Sequence, residues 1–174
     1  IKLPSHPEFI SHRLDRTDRP KGGVAIIIRR NIKHHLLQNL QTTLCECIGV
    51  EILLQNGSKI HITSAYMPGG TQVTPINSNF ANDIRKLTHN NTSYFVCGDL
   101  NSRHRHWNCF RANQAGNILY DEYCKSNFLI KHPPTFTRIP NDSRSNPSTI
   151  DLVLTNGLHD MSEPVCNPTS SDHN

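Results

Sequence analysis

Apolar and polar positions along this chain fall into short runs whose period switches between about two and about 3.6. After Gly22-Gly23, the β-branched run at 24–30 predicts a strand. Residues 47–54 alternate, Asn56-Gly57 is a hairpin turn signal, and 59–66 alternate again with Ile60, Ile62 and Ser64 on one face, so a hairpin or meander is expected. Residues 77–91 then place Phe80, Ile84 and Leu87 at helical spacing, with Asn77 or Asn79 as N-cap. A short apolar strand at 93–97 runs into Gly98-Asp99-Leu100-Asn101, followed by a polar loop rich in His and Arg that extends to about Gln114. A second helix is expected from about 115 to 127, with Leu119, Tyr120, Tyr123 and Cys124 as its stripe. Short strands follow at 128–130, 135–138 and 149–154, separated by Pro133-Pro134 and by a turn-rich stretch at 141–147. The first 20 residues carry three prolines and read as loop or short strand. Many strands with only two helices predict an α/β fold with mixed sheets rather than a purely parallel one.

Composition narrows the class. The 174 residues fit one domain spanning 1–174, and 35% hydrophobic residues at a mean hydropathy of −0.52 are enough for a core. No apolar run nears the roughly 18 to 20 residues needed to cross a bilayer, and no signal sequence opens the chain, so membrane and secreted readings lose support. The first residue is Ile rather than Met and the last four are Ser-Asp-His-Asn, so both ends are expected to be cut. Eighteen Lys and Arg against 14 Asp and Glu give +4, which permits a polyanionic partner without demanding one. The six cysteines include Cys45 and Cys47 as C-x-C rather than C-x-x-C, and no histidine pattern completes a zinc site, so buried, reduced thiols are expected.

Three polar groups fall at predicted strand ends: Asp99 with Asn101, Asp151 inside the apolar run Ile150 to Leu154, and Asp172 with His173. A carboxylate within an apolar strand needs a charged or donor partner, and His173 is the obvious one for Asp151. Acidic groups gathered in a basic protein point to a hard divalent cation such as Mg²⁺ and to metal-assisted phosphoester hydrolysis.

The ordered set of Tyr66 in SAYMPGG, GDLN at 98–101, TIDLVLTN at 149–156 and SDHN at 171–174 resembles the endonuclease/exonuclease/phosphatase superfamily, and within it the apurinic-endonuclease-like domain of non-LTR retrotransposons. The loop 101–108 with Asn113, Gly116 and Pro134-Thr135 resembles the jockey-like branch. The resemblance implies a DNase I-like fold, a two-sheet sandwich flanked by helices that lacks its N-terminal and C-terminal strands. It implies that Asp99 orients and deprotonates the attacking water and that Asn101 donates to that water or to a phosphate oxygen. His173, held by Asp151, and Tyr66 would stabilise the phosphoryl charge, and Asp172 would help hold Mg²⁺ or Mn²⁺. Double-stranded DNA is then the substrate, nicked to leave a 3′-hydroxyl that primes a downstream reverse transcriptase domain, with the nucleus as the site of action and no membrane partner.

The family's early Asn and metal-ligating Glu have no counterpart in this chain, so the chain alone is expected to nick weakly. Glu46 reads as structural. A cellular abasic-site nuclease, a phosphatase, and a non-catalytic DNA-binding remnant are the alternatives. Trp107 is expected to pack its loop onto the core rather than wedge against a base, and Arg103, His104, Arg105 and His106 could meet phosphates or form an exposed charged loop. Arg13, Arg16 and Arg19 could flank DNA or form a solvated face.

Overall fold

The first 20 residues, expected as loop or short strand, contain a paired strand. The computed structural model describes residues 6–16, 22–38, 40–69, 76–89, 91–142, 144–157, 162–167 and 171–173; of the positions singled out above, Arg19, Gly70 and Asn174 lie outside these. Phe9–Asp15 (β1) pairs antiparallel with Gly23–Arg29 (β2) as a two-stranded sheet. A short strand, His34–Leu36 (β3), which has no alternation long enough to read, edges a second sheet and pairs with Glu46–Leu53 (β4).

The expected hairpin joins β4 to Lys59–Tyr66 (β5). Helix Ile76–Thr88 (α1) carries the chain back to Ser93–Asp99 (β6), which lies parallel to β5. Helix Gln114–Lys125 (α2), with Asn113 as N-cap accepting from the Gly116 amide, precedes Leu129–Lys131 (β7) and Asp151–Thr155 (β8). The second sheet has six strands in the order β3-β4-β5-β6-β8-β7, and β5·β6 is its one parallel pair, which is where a crossover helix is needed. Residues 135–138 do not form the expected strand: Arg138 makes isolated bridges to Ser148 and His173, and the Thr137 hydroxyl rather than its backbone takes the Ile150 and Asp151 amides, so no ladder forms.

Alternation divides the large sheet. One face puts Cys47, Ala65, Val96 and Leu152 into the same core as Phe80 and Ile84 of α1 and Leu119 of α2. Each fully buried side chain of this kind contributes roughly 1.5–3 kcal/mol. Against β4 and β5 lies the β1·β2 sheet, so the fold is a two-sheet sandwich with two helices, as expected. Asp83 of α1 is fully buried and accepts from the amides of Thr43, Leu44 and Cys45 at 2.7–3.0 Å, which ties the entry into β4 to the helix. All six cysteines are free thiols, and no helix among the described residues is long and apolar enough to cross a membrane.

Candidate functional site

Sheet register gathers the acidic residues. Glu46 pairs with Tyr66 across β4 and β5, and Asp99 pairs with Asp151 across β6 and β8. Ser64 stands opposite Cys97 in the parallel pair, so two residues further on Tyr66 meets Asp99, and the Met67 amide donates to Asp99 O at 2.9 Å. Four side chains therefore form one row across four neighbouring strands, all on the face opposite the helix-packed core. Gly98 makes the row possible: it has φ +149°, and a Cβ there would stand 1.9 Å from the Ala65 carbonyl oxygen. Only glycine lets β6 approach β5 this closely before Asp99.

His173 closes over the row. Its Nδ1 lies 3.0 Å from Asp151 Oδ2, and its Nε2 lies 4.0 Å from Asp99 Oδ2. The backbone bridge from Arg138 to His173 and the Ile139 amide donating to Asp172 O at 2.8 Å hold the 171–173 segment in place. Thr137 Oγ1 accepts from the amides of Ile150 and Asp151 at 3.0 and 3.1 Å and so fixes the start of β8.

The Asp99 carboxyl is pushed up to about 6, chiefly by burial and further by the charge of Asp151 opposite. The Asn101 amide hydrogen bond opposes this rise, as do the nearby charges of His173 and Arg138. Asp99 is thus a carboxylate in easy reach of both protonation states near neutral pH.

Asn101 adopts φ +45°, a left-handed turn that Asn tolerates. Its backbone N–H donates to Asp99 Oδ1 at 2.8 Å, and its side-chain amide donates to Met67 O at 2.8 Å and Asp99 Oδ2 at 3.2 Å. The side-chain amide is thus shared between the Met67 carbonyl and the Asp99 carboxylate, whereas the resemblance implies donation to a water or a phosphate oxygen. Asn113 Nδ2 in turn donates to Asn101 O at 2.8 Å. Tyr66 lies under the Arg16 guanidinium, 5.5 Å from the ring centroid, and Arg16 Nε donates to Glu46 Oε1 at 2.6 Å.

Tyr66, Asp99, Asn101, Asp151 and His173 are thus brought together. Asp172 is adjacent in sequence, yet its Oδ2 accepts from Arg138 Nε at 3.1 Å, so its carboxylate is committed to a cation. Among the described residues no group of three or more His, Cys, Asp or Glu side chains is arranged to hold a metal ion. With Asp172 paired to Arg138, these side chains alone do not fit a complete divalent-cation site.

Pairings that sequence reading did not foresee act at a distance, and Arg16, expected to flank DNA or form a solvated face, is held against Glu46. Arg16 and Glu46 meet across 30 positions, and Thr137 reaches β8 across 14, with no local pattern to reveal them. Asn113 did carry a signal, an N-cap spacing to Gly116. In the His/Arg loop, Trp107 is fully buried with Nε1 donating to Ser102 O at 2.9 Å, the packing role expected, and His104 stacks on Tyr120 with centroids 4.2 Å apart.

Comparison with known proteins bears on the family and the fold. The sequence profile of the Endonuclease/Exonuclease/phosphatase family matches residues 3–173. The chain is 30% identical over 138 residues, 79% of its length, to a probable RNA-directed DNA polymerase from transposon X-element of Drosophila melanogaster. It is 22% identical over 160 residues to the corresponding protein from transposon BS of the same organism, covering 92% of the chain. It spans only 14% and 17% of those two relatives. The endonuclease domain of TRAS1, a telomere-specific non-LTR retrotransposon, shares the fold at a TM-score of 0.70 with 15% identity, over 86% of this chain and 68% of that one. The human Nocturnin catalytic domain aligns at a TM-score of 0.56 with 16% identity, over 95% and 69%.

Proposed function

This chain belongs to the endonuclease/exonuclease/phosphatase family, and from that premise we propose that it is the DNA-nicking endonuclease domain of a non-LTR retrotransposon polyprotein. Its product is a 3′-hydroxyl end that a reverse transcriptase on the same polypeptide extends. Phosphoester hydrolysis is the chemistry of the family; the DNA substrate and the priming role rest on the likeness to transposon polymerases and to the TRAS1 domain.

The observation that carries the reading is the gap between Asp99 and His173. A separation of 4.0 Å between His173 Nε2 and Asp99 Oδ2 leaves room for one oxygen within hydrogen-bond reach of both. Asp99, ionised, accepts a proton from a water held in that gap, and Asn101 keeps both carboxylate oxygens oriented. His173 Nδ1–H donates to Asp151, which fixes the tautomer and supports positive charge on the ring, so that Nε2 can face the phosphoryl oxygens. Tyr66, one strand away in the same row, adds a phenolic donor. Magnesium is the proposed ion, and when bound it would supply Lewis-acid stabilisation of phosphoryl charge. Among the described residues no cluster of side chains completes a site for it.

The test is conversion of supercoiled plasmid to open circles by the purified chain in Mg²⁺, with and without chelator. Slow, chelator-sensitive nicking that disappears in Asp99→Asn supports the reading. Nicking that survives Asp99→Asn, or hydrolysis confined to small phosphomonoesters, overturns it.

A further inference from the structure

One large aromatic side chain is left in the open: Phe110 is 61% exposed, three residues after the buried Trp107. Its ring lies 5.8 Å from that of Phe136 at an interplanar angle of 30°, so the pair presents a tilted aromatic surface. The two residues before Phe110 are tied down by hydrogen bonds. Cys109 Sγ donates to Thr149 O at 3.3 Å, two residues before Asp151, and Asn108, left-handed at φ +63°, donates from Nδ2 to Pro134 O at 3.4 Å. The loop bearing Phe110 and the segment bearing Phe136 are tied together, and Phe136 precedes the Thr137 that pins Asp151.

Charge surrounds this surface. A cavity of about 140 Å³ is walled by Phe110 together with Arg103 and Arg111. Among the described residues neither guanidinium has a carboxylate or hydrogen-bond partner, whereas Arg138 and Arg144 nearby are paired with Asp172 and Asp142. An exposed aromatic ring lining one cavity with two uncommitted guanidinium groups matches a nucleotide: a flat base to stack and phosphates beside it.

We propose that Phe110, braced by Phe136, is a stacking platform for one unstacked nucleobase of the strand being cut, with Arg103 and Arg111 holding the phosphates that flank that base. The proposal rests on the DNA-nicking reading and adds to it a single position at which the enzyme senses the base next to the cut. Stacking is tolerant of base identity, so the platform favours easily unstacked steps over one sequence.

Binding of the chain to fluorescent DNA duplexes, measured at low salt in chelator so that no cutting occurs, tests this directly. A series of duplexes is used in which each member lacks one base of one strand, its sugar-phosphate left intact. Wild type should bind about tenfold more weakly when one particular base near the cut is absent, the usual scale for a base stacked on an aromatic ring. Phe110→Ala should lose about the same factor on the intact duplex and nothing further on the duplex lacking that base, while Phe110→Trp should restore both. Arg103→Ala and Arg111→Ala should each lower the slope of log affinity against log salt by about 0.9. If Phe110→Ala binds every duplex as wild type does, or loses equally on all of them, the platform is overturned while plasmid nicking leaves the nuclease reading standing. If wild type neither binds duplex nor nicks plasmid, both are overturned.

Discussion

Asp99 and Asp151 face each other across the antiparallel β6·β8 pair, one residue opposite the other in register, and His173 lies 3.0 Å from the second and 4.0 Å from the first. Partial burial and the like charge of Asp151 thus act on the Asp99 carboxyl group while the His173 imidazole stands near both.

The pH dependence of cutting follows from that pair. Asp99 titrates near 6 in the fold, above the roughly 3.9 of an unfolded chain. As a base it works only when ionised, so the nicking rate should rise about tenfold per pH unit up to about pH 6 and level off above it. A rate that is flat from pH 5 to 7 would remove Asp99 from that role.

The same shift bears on stability with a definite sign. Because its folded pKa is raised, Asp99 binds a proton more tightly in the native state, and its contribution is fully present below about pH 4 and lost as pH rises through about 6. Asp99→Asn should remove this slope and stabilise the protein at pH 7 by up to about 3 kcal/mol, the equivalent of about two pH units. Thermal melts of both proteins at pH 4 and pH 7 check it: the difference should grow with pH.

Gly98 should tolerate nothing larger. A Cβ 1.9 Å from the Ala65 carbonyl, at φ +149°, forces β5 and β6 apart at the point where Tyr66 and Asp99 are aligned. Gly98→Ala should cost roughly 2–4 kcal/mol in denaturant titrations and reduce nicking even in the fraction that remains folded. A loss under about 0.5 kcal/mol would mean that the strands are not locked together there.

Asp83 is a purely structural counterpart. Asp83→Ala leaves the amides of Thr43, Leu44 and Cys45 without their acceptor; the Cys45 bond is buried, and an unsatisfied buried donor costs about 1–3 kcal/mol, while water can reach the amide of exposed Thr43. Stability should therefore fall by about 1–3 kcal/mol, while any activity per folded molecule stays as it was.

How far the sequence foretold this molecule depends on the range of each interaction. Alternation in 47–54 and 59–66 and the 3.6 period around Phe80, Ile84 and Leu87 are local signals, and β4, β5 and α1 appear where those signals place them. Both β1 and β3 are stabilised by partners elsewhere in the chain rather than by their own pattern, and residues 135–138 carry strand-like composition without a partner ladder. The meeting of Asp151 with His173 was legible, since an Asp in an apolar strand demands a counter-group. Arg138 taking Asp172, and Arg16 bridging Glu46 over Tyr66, depend on how separate loops return to the sheet, which no spacing encodes.

The claim that Asp99 and the Asp151-held His173 act on one phosphoester is tested most directly by plasmid nicking with the wild-type chain, His173→Ala and Asp151→Asn side by side in Mg²⁺. Removing a positioned acid-base group lowers rates by about 10² to 10⁴, so His173→Ala should fall to background. Asp151→Asn should lose most of the activity, because the imidazole keeps a neighbour but not its charged partner. Duplex affinity should change little in either. Wild-type nicking that both variants reproduce at full rate would contradict the account.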